Sequence, residues 1–139
     1  MTPRGRSIYS RGSILDFVAG IRDAIKGHEG LVAKEILHGD VSEGNIILLN
    51  PSPEDDLHGM LIDLDHSVKM KGNLALEEDW SLTGTMKFMA LERLKFASKQ
   101  EKTIGRTCRH DLESFFYVFI VGCIEYGLVH ERREKQLQI

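Results

Sequence analysis

The sequence predicts a mainly α domain with a small β-hairpin, and three observations predict it. Apolar residues recur at helical spacing from residue 14 to residue 36. Two short apolar runs flank the proline-rich turn Asn50-Pro51-Ser52-Pro53-Glu54-Asp55-Asp56. A third segment, residues 111–126, is apolar on nearly every face, the mark of a buried helix.

Taken in order, residues 1–12 carry Pro, Gly, Arg and Ser and read as a flexible start. Ser13 is placed to cap the first helix. Its apolar face runs Ile14, Phe17, Val18, Ile21, Ala24, Ile25, His28, Leu31, Val32 and Ile36. Gly27 and Gly30 weaken the second half, where a kink or an early end is expected. A loop over 38–45 follows. Ile46-Ile47-Leu48-Leu49 and Gly59-Met60-Leu61-Ile62-Asp63 then pair as a hairpin, bringing 38–45 beside 63–65. Residues 66–84 lack sustained periodicity and read as a mobile loop. Residues 95–107 are polar and read as exposed. Glu131 to Lys135 is a charged stretch expected to be a solvated helix end. The division is therefore a flexible start (1–12), one domain (13–130) and a charged tail (131–139).

At 139 residues the chain can build one core but hardly two. Hydrophobic residues make up 42% and charged residues 28%, an ordinary globular composition. A net charge of −3 gives no broad basic surface, so nucleic acid is not an expected partner. The two cysteines, Cys108 and Cys123, do not make a disulfide framework, and Cys123 in its apolar run is expected to be buried. The basic start lacks a signal-peptide apolar stretch. The longest apolar block, Phe115 to Ile124, is far short of the ~20 residues a membrane span needs. An intracellular chain, cytoplasmic or nuclear, is expected, with no membrane partner.

The chemistry concentrates in His38-Gly39-Asp40-Val41-Ser42-Glu43-Gly44-Asn45 and in Leu61-Ile62-Asp63-Leu64-Asp65. An Asp, an Asn five positions on, and an Asp closing an apolar strand form the set a phosphoryl-transfer site uses. Asp40 would orient the accepting hydroxyl, while Asn45 and Asp63 would hold Mg2+ on the phosphates of ATP. Two nearby carboxylates repel, and a divalent cation resolves the conflict. Asp65 is the alternative ligand, with Asp63 structural; the Met60-Leu61-Ile62 run ending at Asp63 favours the first register. The competing account is a turn in which Asp40 and Asn45 only satisfy local backbone. His38 reads as a packed, backbone-bonded histidine, since neither it nor His66 is spaced for zinc with a cysteine.

The chain resembles the C-terminal lobe of a protein kinase, and above all the fungal-type protein kinase family. Four motifs stand in kinase order: 38–45, 63–65, 84–92 and 109–116. In Gly84-Thr85-Met86-Lys87-Phe88-Met89-Ala90-Leu91-Glu92, which is similar to the end of an activation segment, Leu91 replaces the usual proline. The resemblance implies that Thr85 lies near the substrate hydroxyl and that Glu92 is structural and seeks an arginine. Arg109-His110-Asp111-Leu112-Glu113-Ser114-Phe115 resembles the start of the large helix of that lobe. Its Asp111 would take hydrogen bonds from the catalytic-loop backbone; an acid favoured by the helix dipole is the plainer account. The implied activity is transfer of the γ-phosphoryl of ATP to a Ser or Thr hydroxyl of a protein substrate.

Departures from the family pattern are specific. Gly39 stands where the catalytic loop usually carries the arginine that grips a phosphorylated activation segment. Ser42 replaces a lysine of many Ser/Thr kinases, and Asp65 replaces the Gly after the metal acid and its neighbour. Neither a glycine-rich loop nor the Lys–Glu pair of an N-terminal lobe is found among the 37 residues before His38, so an incomplete catalytic domain with negligible activity of its own is expected. The arginine that would pair with Glu92 is expected to be missing with the later helices. Two other functions compete. His-Gly-Asp suits small-molecule kinases of the aminoglycoside phosphotransferase or choline kinase kind, though residues 84–92 do not. A non-catalytic pseudokinase fragment acting as a binding module is the third.

Overall fold

The computed structural model describes residues 5–10, 12–72, 74–75, 84–99 and 105–137. Strand β1 (Arg6–Ser7) precedes helix α1 (Ile14–Val32), and β2 (Ile36–Leu37) follows it. Strands β3 (Ile46–Leu48), β4 (Gly59–Leu61), β5 (Val68–Lys71) and β6 (Leu74–Ala75) come next, then helices α2 (Leu91–Lys99) and α3 (Cys108–Leu137). The described residues thus form three α-helices and two three-stranded antiparallel sheets, ordered β1-β3-β4 and β2-β5-β6. The architecture is mixed α/β, with more sheet than one hairpin.

Helix α1 starts where its cap predicts. Ser13 Oγ accepts from Asp16 N at 3.0 Å and Asp16 returns a bond to Ser13 N at 3.3 Å, a capping box. The helix stops at Val32, before Ile36. Ala33, Lys34 and Glu35 make turn bonds back to it, and Glu35 takes a left-handed φ of 59°. Ile36 belongs instead to β2.

The hairpin forms as the two apolar runs predict, with Ile46 opposite Leu61 and Leu48 opposite Gly59. It packs on α1 through a close backbone approach: a Cβ at Gly59 would run into the backbone of Gly20. Asp23, also buried on α1, takes the His58 backbone N–H at 2.8 Å and pairs with Arg22. Burial pushes its carboxyl up, but those contacts outweigh burial and hold it below the usual range.

Three expectations need correction. The stretch 66–84 is not simply loop: Val68–Lys71 alternates buried and exposed and pairs with both Ile36–Leu37 and Leu74–Ala75. Four residues are too short a run for a periodicity search to pick out. Residues 76–83, including Thr83, lie outside the described residues, as do 100–104 of the polar stretch. Within the start, Arg6–Ser7 adds a strand to the hairpin, Ile8 is fully buried, and Tyr126 Oη donates to the carbonyls of Ile8 and Ser10 at 3.2 and 2.9 Å.

The third correction concerns α3. Asp111, Ser114, Phe115, Val118 and Gly122 turn inward, and the stripe Leu112, Phe116, Ile120 and Ile124 is 47, 57, 40 and 57% exposed. Cys123 is exposed too, not buried. Only one side of the helix meets the core of Phe17, Ile21, Ile46, Leu48, Phe88, Phe115 and Val118. The charged stretch 131–135 continues the same helix. No helix among the described residues is long and apolar enough to cross a membrane.

Candidate active site

The loop 38–45 is held from below by one carboxylate. Asp111, 6% exposed, lies in the first turn of α3. It accepts the backbone N–H of His38 at 3.1 Å and of Gly39 at 3.2 Å, and meets His28 Nε2 at 2.9 Å. Three bonds to a buried carboxylate satisfy a group that would otherwise be costly to bury. His28 is the α1 residue that completes this anchor.

His38 is fully buried and bonds backbone, as its sequence context suggests. Asp40 N donates to its Nδ1 at 3.3 Å, so Nδ1 is the acceptor and Nε2 carries the hydrogen given to Ile62 O at 2.9 Å. The ring therefore ties the loop to the end of β4. Gly39 between them has φ +82°, and a Cβ there would meet Arg106 Nη1 and His66 O at 2.6 Å. A side chain at 39 has neither the backbone conformation nor the room.

Above this anchor the polar side chains converge. Asn45 Nδ2 donates to Asp40 O at 2.8 Å and to Asp40 Oδ2 at 3.1 Å. Thr85 donates to Asp40 Oδ1 from its backbone N at 2.8 Å and its hydroxyl at 2.9 Å. The local-turn account of Asp40 and Asn45 is thus part of the geometry, but Thr85 reaches Asp40 from 45 residues away. Ile62 N donates to Asn45 O at 2.8 Å, so the hairpin sets Asp63 beside Asn45. Asp63 is exposed, has a left-handed φ of 65°, and accepts Asp65 N at 3.2 Å. A non-glycine residue in that region is strained, and such strain gathers where a side chain must be aimed.

This donor set suits a magnesium ion bound together with phosphates. Both contacts of Asn45 use Nδ2, which leaves Oδ1 as the amide atom to offer a cation. Asp63 adds one exposed carboxylate. Among the described residues no group of three or more His, Cys, Asp or Glu is placed to hold a metal unaided. One carboxylate plus an amide is the incomplete set that Mg2+ accepts when phosphate oxygens and water supply the rest.

Glu92 lies partly buried at the start of α2. It pairs with Arg109 and with His110 Nε2 at 2.9 Å. The arginine expected to be missing is therefore within the chain, in the first turn of α3. The hydrogen bond from His110 and the charge of Arg109 hold the Glu92 carboxyl below its usual value. Glu113 accepts from Leu91 N at 2.8 Å and Tyr117 Oη at 2.7 Å; burial raises its carboxyl, and these bonds together bring it below the usual range.

Sequence reasoning thus assembles Asp40, Asn45, Asp63, Thr85, His38, Glu92 and Asp111 in one region. It misses His28, Arg106, Arg109 and His110. Arg109 and His110 immediately precede Asp111 in the sequence, a local signal of a polar helix start; His28 and Arg106 carry none. A family model described as fungal protein kinase matches residues 1–123. No curated protein matches the chain.

Proposed function

The chain belongs to the fungal protein kinase family, and on that premise we propose that Asp40, Asn45 and Asp63 are the phosphoryl-transfer set of a Ser/Thr protein kinase domain with the fold of a kinase C-terminal lobe. The observation that carries this is Asp40, bonded at once to Asn45 and Thr85 beside the strand end that bears Asp63. Asp40 orients the hydroxyl of a protein substrate, and Thr85 fixes the carboxylate by two bonds. Asn45 Oδ1 and Asp63 hold Mg2+ on ATP; the ion supplies charge neutralisation at the phosphates. Asp111, His38 and Glu92 position this set from behind.

Within these 139 residues there is no glycine-rich loop with its paired lysine, so transfer by the chain alone is expected to be negligible. Binding is the sharper test. Calorimetry should show Mg-ATP heat that disappears in Asp63→Ala while the fold persists. Equal binding by wild type and Asp63→Ala would remove Asp63 from the site, and no binding by either would leave a non-catalytic module. That second reading has one observation of its own, the exposed apolar stripe Leu112, Phe116, Ile120 and Ile124. The small-molecule kinase reading is disfavoured by Thr85, which brings residues 84–92 onto Asp40.

A further inference from the structure

Along β4 lies an apolar groove of about 420 Å³, the size of a ligand site. Leu31, Leu57, Met60, Leu61 and Leu64 line it, and so does Gly59. Successive side chains of a strand point to opposite faces, so a space that meets Gly59, Met60 and Leu61 alike runs along the strand's edge. That edge is free, because β4 is the outer strand of β1-β3-β4. Ile62 N donates to Asn45 O and Leu49 N to His58 O. With Ile46 opposite Leu61 and Leu48 opposite Gly59, the alternation of an antiparallel ladder turns the N–H and C=O of Gly59 and Leu61 away from β3. Neither residue's backbone meets another partner among the described residues. An unpaired edge is a template for a further strand.

Helix α1 forms the far wall. Asp23, Gly27 and Leu31 follow one another at four-residue spacing and share one face of the helix. The room comes from the middle one, since a Cβ at Gly27 would meet nothing within 4 Å. Of the charged side chains in the lining, Asp23 is spent on Arg22 and on the His58 N–H. Lys26 is exposed and has no ion pair among the described residues. The acids of the preceding turn, Glu54, Asp55 and Asp56, stand outside the lining. A small apolar molecule would fill the groove but leave the strand edge unpaired. An extended chain satisfies both.

We propose that this groove takes an extended peptide of a partner protein. The peptide pairs with β4 as a further strand, sets alternate apolar side chains between the hairpin and α1, and places an acidic residue against Lys26. This goes beyond the kinase assignment and does not depend on it, since peptide capture needs neither nucleotide nor transfer.

The test is selection from a displayed library of random peptides on the purified chain, followed by amide exchange with the best peptide bound. Enriched peptides should alternate apolar residues and carry an acid, and exchange should slow at the N–H of Gly59 and Leu61. Methylating alternate peptide nitrogens should abolish binding in one register and spare it in the other. Gly27→Leu fills the groove with a residue better suited to a helix than glycine, and should weaken binding by roughly tenfold or more. Lys26→Glu, a surface change that serves if the leucine variant does not fold, should exchange the acid for a base in a repeat selection. No enrichment, enriched peptides without the alternation, unchanged exchange at Gly59 and Leu61, indifference to both variants, or a second copy of the chain found on this edge would overturn the proposal.

Discussion

Two acids serve the same loop from opposite sides, and they are built in opposite ways. Asp111, at the base, is buried and its carboxylate is taken up by His28 and two backbone N–H groups. Asp63, at the mouth, is exposed, backbone-strained, and bonded only to the N–H of Asp65 among the described residues. A saturated carboxylate has nothing left to bind with, and its energy goes into the fold. An exposed, strained one contributes little to the fold and keeps its oxygens for a ligand. The difference separates the residue that shapes the loop from the residue that would use it.

The base carries the largest expected effect. Asp111→Ala strands two backbone donors and a buried histidine, so a loss of about 3–5 kcal/mol is expected in denaturant unfolding. Faster amide exchange at His38 and Gly39 should accompany it. A loss below about 1 kcal/mol would mean that water replaces the carboxylate and that base and mouth are not different in kind.

Glu92 lies between the extremes, partly exposed yet paired with Arg109 and His110. Glu92→Gln should lower stability only slightly, because solvent screens this exposed pair. Glu92 and Glu113 both titrate lower in the folded chain than in the unfolded one. Their contribution is therefore whole above the ordinary glutamate value of 4.5 and drains away as pH falls below it. Acid unfolding of Glu92→Gln should show a shallower loss through that window; an unchanged slope would remove the pair from the stability account.

At the mouth the sign reverses. Asp63→Gly relieves the left-handed backbone, and a gain of about 0.5 kcal/mol is expected once the flexibility of glycine in the unfolded chain is counted. The same substitution should abolish Mg-ATP binding. Stability and binding moving in opposite directions is the signature of a residue kept for its ligand. A clear loss of stability would make Asp63 a structural acid and return the metal role to Asp65.

How much of this was legible depends on how far the information travels along the chain. Ser13 with Asp16, the 46–61 hairpin and the Asp40–Asn45 spacing are local and were readable. The β5 partners are not, because Val68–Lys71 is stabilised by Ile36–Leu37, which the helical pattern claims for itself up to Ile36. Glu92 and Arg109 meet across 17 residues with no periodic signal. Arg106 reads as one polar residue in a polar stretch, and only the empty side of Gly39 shows where its guanidinium goes.

Helix α3 shows the limit most sharply, and it extends the comparison of base and mouth along one element. Its inner side carries Asp111 and Phe115, 2% exposed; its outer side carries Phe116, 57% exposed. The sequence writes both phenylalanines alike, and an all-apolar helix cannot reveal which side meets the core. Phe115→Ala should cost about 3–5 kcal/mol, whereas Phe116→Ser should fall within about ±0.5 kcal/mol. Paired urea titrations of the two variants decide the matter. If Phe116→Ser cost as much as Phe115→Ala, the outer stripe would be buried in solution, against this chain or another copy of it. Near-neutrality would leave Leu112, Phe116, Ile120 and Ile124 a bare apolar face on the helix that anchors the loop 38–45.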